Sequence, residues 1–189
     1  MPKRIVVLGP PGVGKGTQAK LLSERKRIPT ISTGDLLRKS IAEGTPLGKI
    51  VKEYVESGKL VPDEIITEVV KEWLDSQEAK DGFLLDGFPR TIAQAESLEQ
   101  ILNSQSQKLD CVLYFVAPLD VVKERLFNRA KIEGRSDDTP ELIEKRFSVY
   151  RQQTEPLVEF YRSRGLLREV DCTGSIEEVY AKVKSAICS

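Results

Sequence analysis

The run Gly9-Pro10-Pro11-Gly12-Val13-Gly14-Lys15-Gly16-Thr17 follows directly on the apolar stretch Ile5-Val6-Val7-Leu8 and opens a helical pattern. That is the strand, loop and helix context a phosphate-binding loop requires. Glycines let the backbone wrap so that several N–H groups converge on phosphate oxygens, the helix N-terminus adds partial positive charge, and Lys15 supplies a full one. One departure stands out: the usual loop places Ser or Thr directly after the lysine to meet Mg²⁺, whereas here Gly16 intervenes and the hydroxyl is on Thr17.

A loop of this kind needs a parallel sheet behind it, and the rest of the chain supplies the pattern. Short β-branched runs alternate with longer helical ones, which predicts an α/β fold in which helices flank both faces of the sheet. The expected strands are 4–8, 30–32, 83–86, 110–116 and 167–171, mostly apolar as buried parallel strands should be. Helix starts are expected at Ser32-Thr33-Gly34-Asp35, Pro62-Asp63-Glu64 and Thr139-Pro140-Glu141, where capping oxygens, prolines and early acids precede a 3.6-residue period. Two punctuated stretches, 43–48 paired with 57–62 and, further on, 132–140, read either as hinged flaps or as ordinary surface connections. At 189 residues the chain is one domain's worth, and no internal repeat is visible.

Composition narrows the chemistry. Twenty-nine basic residues balance 29 acidic ones, so there is no bulk field for nucleic acid or an anionic membrane, and an anion site must be built locally. The complete lack of histidine removes histidine general-base catalysis and nearly every catalytic zinc site. Three scattered cysteines, Cys111, Cys172 and Cys188, form no zinc or disulfide framework, and Cys111 reads as a small buried thiol. The opening apolar run is too short for a signal-peptide core or a membrane span, which together with free thiols leads us to expect a cytoplasmic protein.

Arginine supplies the local charge. Arg125 and Arg129 lie four apart on an expected helix, a like-charge pairing that a shared phosphate would relieve. Arg135 and Arg146 follow, while Arg38 and Arg90 come from strand-to-helix junctions, where open parallel sheets place ligands. Such a set suits phosphoryl transfer, in which positioning and charge neutralisation dominate over covalent help. An acceptor that is itself a phosphate needs no general base, and flaps closing over both substrates would keep water from the transferred group.

The segments Gly9 to Gln18, Ser32 to Arg38, Ser57 to Asp63 and Asp86 to Thr91, in that order, resemble the nucleoside monophosphate kinases, and specifically the adenylate kinase family. The likeness continues through Gly134-Arg135-Ser136-Asp137-Asp138 and Lys145-Arg146-Phe147 to Gly174. It implies a five-stranded P-loop fold in a single domain, with a core of 1–31, 62–127 and 139–189, an AMP-binding flap over 32–61 and a short lid over 128–138. It further implies reversible transfer from ATP to AMP giving two ADP, with Mg²⁺, by a monomer with no nucleic-acid or membrane partner. Gly12, Val13, Gly14, Lys15, Gly16 and Thr17 would hold the ATP phosphates, with Gly174 on the adenine side and Arg129 over ATP. Thr33, Arg38, Lys59, Leu60, Val61, Gly87, Phe88, Pro89, Arg90 and Gln94 would form the AMP pocket. Arg125, Arg135 and Arg146 would converge on the transferring phosphates, Arg135 and Arg146 also binding AMP, with Lys15, Arg90 and Arg129 completing the catalytic set. Asp86, at the end of a strand, would hold water on Mg²⁺ or simply cap a helix. Gln94 is the acceptor clue, since an amide that both donates and accepts can pair with adenine's N1 and N6 edge. The alternatives are a UMP/CMP kinase and a non-catalytic ATP-binding module. The short connection between Arg129 and Asp138 keeps arginine but leaves no room for a zinc-clamped lid domain.

Overall fold

The computed structural model describes residues 3–134 and 139–188. Five parallel strands, β1 (Arg4–Leu8), β2 (Thr30–Ser32), β3 (Phe83–Asp86), β4 (Cys111–Val116) and β5 (Leu167–Asp171), lie in the order β2-β3-β1-β4-β5. Four strands match the expected bounds, and β4 starts at Cys111 rather than Asp110 because the Asp110 side chain turns back to accept from the Lys3 and Arg4 backbone N–H groups at 2.7 and 2.8 Å.

The central strand explains the layering. Ile5, Val6, Val7 and Leu8 are all buried, and because successive side chains point to opposite faces they feed two separate cores. Ile5 and Val7 pack with Ala19 and Leu22 of α1 (Lys15–Lys26) and with Val179 and Val183 of α9 (Ile176–Cys188). Val6 and Leu8 pack with Ile66 and Val70 of α4 (Asp63–Leu74) and with Leu98 and Leu102 of α5 (Ile92–Ser104). The connections leaving β1 and β3 run in opposite directions across the sheet, and right-handed crossovers then place α1 and α5 on opposite faces. Between them a crevice opens at the carboxyl ends of the strands.

The remaining helices are α2 (Thr33–Ala42), α3 (Pro46–Glu56), α6 (Leu119–Glu133), α7 (Pro140–Val149) and α8 (Leu157–Arg162), with a π turn at Tyr150–Thr154 after α7. The expected helix starts are present: Ser32 Oγ accepts from Asp35 N–H, Thr139 Oγ1 accepts from Leu142 N–H, and Asp63 and Glu64 form the first turn of α4. Between the punctuated segments 43–48 and 57–62 the chain forms α3, whose first turn takes in the end of the first segment. Thr45 joins α2 to α3 by accepting from Gly48 N–H at 3.0 Å and donating to the Ser40 carbonyl at 3.3 Å.

Cys111 and Cys172 are buried, and desolvation pushes both thiols up to about 11, so neither is a nucleophile at neutral pH. Among the described residues no helix is long and apolar enough to cross a membrane.

The α2–α3 hairpin depends on one missing side chain. A Cβ on Gly48 would lie 2.0 Å from the Ser40 carbonyl oxygen, a rigid backbone atom, so the two helices touch backbone to backbone. Gly48→Ala is therefore expected to lower unfolding free energy by about 2 kcal/mol, read as a reduced urea midpoint, whereas Gly44→Ala, with nothing within 4 Å of its Cβ, carries only the strain of its φ of 65°.

Candidate active site

Parallel register sets the stage. Val7 and Ser32 are each paired with Asp86, so β1, β2 and β3 end at one level. The glycine-rich loop leaves β1 there and enters α1 at Lys15. Gly12 shows why the loop needs glycine: φ is 79°, and a Cβ would fall 2.4 Å from Leu126 Cγ, so the loop lies flat on α6.

Lys15 folds back over this loop, its Nζ donating to the Gly9 and Pro10 carbonyls at 2.7 and 2.9 Å. Burial lowers its pKa from 10.5 to about 8, opposed by Asp86 and assisted by Arg90, Arg146 and Arg129. Asp86 is 9% exposed, and its carboxyl is held above the usual range by burial, with Lys15 and Arg90 pulling the other way. A Cβ on Gly16 would sit 3.5 Å from Asp86 Oδ2, so the glycine that departs from the usual loop leaves that side of the carboxylate open.

Two cavities meet at this point. The first, the acceptor-side cavity, is lined by Thr33, Arg38, Lys59, Leu60, Val61, Gly87, Pro89, Arg90 and Gln94. The second, the donor-side cavity, is lined by residues 12–17, Arg125, Arg129 and Gly174. Lys15, Arg38, Arg90 and Arg146 line both, so four cations stand on their common wall. Arg90 is anchored by Nε donating to the Gly87 carbonyl at 2.8 Å, and its own carbonyl accepts from Thr154 Oγ1 at 2.8 Å. Arg38 is steadied by Asp35. Arg146 comes from α7 and packs near Gly58 at the end of the α2–α3 unit.

Two residues sit differently from the sequence reading. Arg125 does not join the cations around Lys15: its guanidinium donates to the Val13 carbonyl at 3.0 Å and the Cys172 carbonyl at 2.7 Å, tying the glycine loop to the end of β5. Its α6 neighbour Arg129 is the one whose charge reaches Lys15. Phe88 lines neither cavity, since its ring is 1% exposed in the core beside Leu37 and Ile66. Gln94, which lines the acceptor-side cavity, is 2% exposed: its Nε2 donates to Asp63 Oδ1 at 2.7 Å, and its Oε1 accepts from Arg90 N–H at 2.7 Å. Arg135 lies outside the described residues.

The structure also adds residues that sequence reasoning missed. Leu37, Ile66, Tyr150 and Thr154 line the acceptor-side cavity, and Asn128, Ile132, Ser175 and Ile176 the donor-side one. Leu37 and Ile66 carry only the apolar period of a core helix, and nothing in the sequence marks the π turn that brings in Thr154.

The adenylate kinase family model matches residues 7–166. Among curated proteins, the adenylate kinase of Thermobifida fusca is 50% identical over 186 residues, covering 98% of each chain. That of Corynebacterium aurimucosum is 50% identical over 184 residues, 97% of this chain and 98% of its own. That of Clostridium novyi is 46% identical over an alignment of 211 positions, 97% of this chain and 98% of its own. The last alignment is longer than the 189 residues available here, so that relative carries sequence this chain lacks.

The electrostatics of Lys15 make a test. Its folded pKa is depressed, so between about pH 8 and 10.5 the unfolded chain holds the extra proton, and this group adds stability as pH rises through that window. A polyphosphate beside Nζ restores the charged form, so binding tripolyphosphate near pH 9 should take up a proton, seen by calorimetry in buffers of different ionisation enthalpy, and affinity should fall as pH rises above about 8. Uptake that persists in Lys15→Met would place the titrating group elsewhere.

Proposed function

Because the chain belongs to the adenylate kinase family and so transfers a phosphoryl group between ATP and AMP, we propose that the cations on the wall between its two cavities are the transfer machinery. This shared wall is the observation that carries the assignment. ATP enters on the glycine-loop side and AMP on the α2–α3 side, so the γ-phosphate and the AMP phosphate meet at Lys15, Arg38, Arg90 and Arg146.

The chemistry asks little else of the protein. The acceptor phosphate is already ionised, so the absence of histidine costs nothing, and the loose transition state spreads charge over oxygens that guanidinium groups bind in pairs. Lys15 leaves the loop carbonyls for the β- and γ-phosphates, its charge restored by theirs. Arg129 adds charge over ATP. Arg125 acts through the loop it ties down, beside Gly174 on the base side of the donor cavity. Thr33, the 59–61 segment and Gln94 receive the AMP nucleoside, and Arg135 and Arg146 complete the phosphate shell.

The family's transfers generally use Mg²⁺, and the residues present fit it. Asp86 offers a buried carboxylate with one side left open by Gly16, and Thr17 lines the same cavity. These two would hold the ion, Asp86 through water, and the ion would neutralise phosphate charge. Segments 32–61 and 128–138 close over the substrates to exclude water, the second as a short lid. We place the protein in the cytoplasm as a monomer acting on ATP, AMP and ADP, with three free cysteines supporting a reducing compartment.

The test is ADP formation from Mg²⁺-ATP and each nucleoside monophosphate in turn. AMP is expected to be the efficient acceptor, and Arg90→Ala to lower kcat/KM by about 10²-fold or more. Arg125→Ala should chiefly raise KM for ATP, and Arg129→Ala chiefly lower kcat. Efficient turnover with UMP or CMP instead would overturn the acceptor assignment.

A further inference from the structure

Asp63 is not among the residues that line the acceptor-side cavity but lies two positions beyond the 59–61 segment that does, and the transfer reaction makes no direct use of it. Its Oδ1 accepts from Gln94 Nε2 at 2.7 Å and from Thr91 Oγ1 at 3.1 Å. On the other side of the same amide, Arg90 N–H donates to Gln94 Oε1 at 2.7 Å. A carboxylate can only accept and a backbone N–H can only donate. Together they break the symmetry that normally leaves a glutamine amide free to turn over. Turned by half a rotation, the amide would set its oxygen against the Asp63 carboxylate and its NH₂ against Arg90 N–H, losing two hydrogen bonds and gaining two repulsions at a side chain only 2% exposed.

We infer that Asp63 is a specificity-determining positioning residue, which locks the polarity of the Gln94 amide and so makes the acceptor site choose a 6-aminopurine over a 6-oxopurine. The inference rests on Gln94 reading the acceptor base. With both bonds in place, Gln94 retains one N–H and one lone pair, in fixed positions. A 6-aminopurine presents the complement, an acceptor at N1 and a donor at N6. A 6-oxopurine of the same shape presents the reverse, a donor at N1 and an acceptor at O6, and would be satisfied only by the turned-over amide. Shape alone cannot separate two such bases, so discrimination falls to hydrogen-bond polarity, where a mismatched buried group weighs most heavily.

The test compares AMP with inosine monophosphate as acceptors, taking the ratio of their kcat/KM values in the full-length protein. This ratio is independent of the fraction of active enzyme, so partial misfolding of a variant cancels. Asp63→Ala should reduce the preference for AMP by about fivefold or more. Asp63→Asn, whose side-chain oxygen can still accept from Gln94 Nε2, should keep more of it. A purely structural role would lower both acceptors in parallel, and an unchanged ratio in Asp63→Ala would overturn the inference. Gln94→Leu separates the two layers. If it collapses the preference while Asp63→Ala does not, Gln94 reads the base without the lock. If Gln94→Leu itself leaves the ratio unchanged, the reading of Gln94 on which the lock rests is wrong.

Discussion

Everything at this site follows from the opposition of Lys15 and Asp86 at the ends of two adjacent parallel strands. The register that pairs Val7 with Asp86 brings the start of the glycine loop beside a buried carboxylate, and the loop returns Lys15 over it. Burying either charge alone is costly, and here each offsets part of the other's desolvation. Three arginines then crowd the same point and weaken the lysine's hold on its proton. A site with this surplus of positive charge is completed by a polyanion, and in the meantime the loop carbonyls of Gly9 and Pro10 engage two of the Lys15 donors.

Layering around the sheet turns that charge into a reaction site. The two cores lie on opposite faces because β1 alternates, and the connections on those faces diverge at the carboxyl ends. One resulting cavity belongs to the glycine loop, α6 and the turn before α9, the other to α2, α3 and the Gly87–Gln94 segment. In the proposed function the two substrates enter from separate sides and meet at one wall, which suits a transfer whose catalysis is mainly positioning. Further side chains brace that wall: Arg125 ties the loop to β5, Thr154 holds the Arg90 carbonyl, and Asp63 holds Gln94.

Local signals in the sequence were enough to locate the strands, the helix caps and the glycine loop, since each depends on residues within a few positions of one another. Ser32 and Thr139 cap helices through bonds to a residue three further on. Arg38 and Arg90 stood out as candidates because they follow strand ends, and Gln94 through the family's signature segment. Roles were less legible than places. Arg125 and Arg129 share a helix face and a residue type, and their different partners depend on where Val13 and Cys172 lie, 112 and 47 residues from Arg125. Phe88 belongs to a signature segment, yet its ring turns into the core.

By itself, then, the sequence determined the α/β class, the phosphate loop with its displaced hydroxyl at Thr17, the absence of histidine chemistry and the family, because periodicity, capping and motif spacing are short-range properties of the chain. Only the tertiary structure decided which cations share the wall between the cavities, that Gln94 is pinned between Asp63 and Arg90, and that Gly48 joins two helices backbone to backbone. Those outcomes rest on groups brought together across the sheet, whose distances and hydrogen-bond partners are set by packing and leave no local trace in the order of residues.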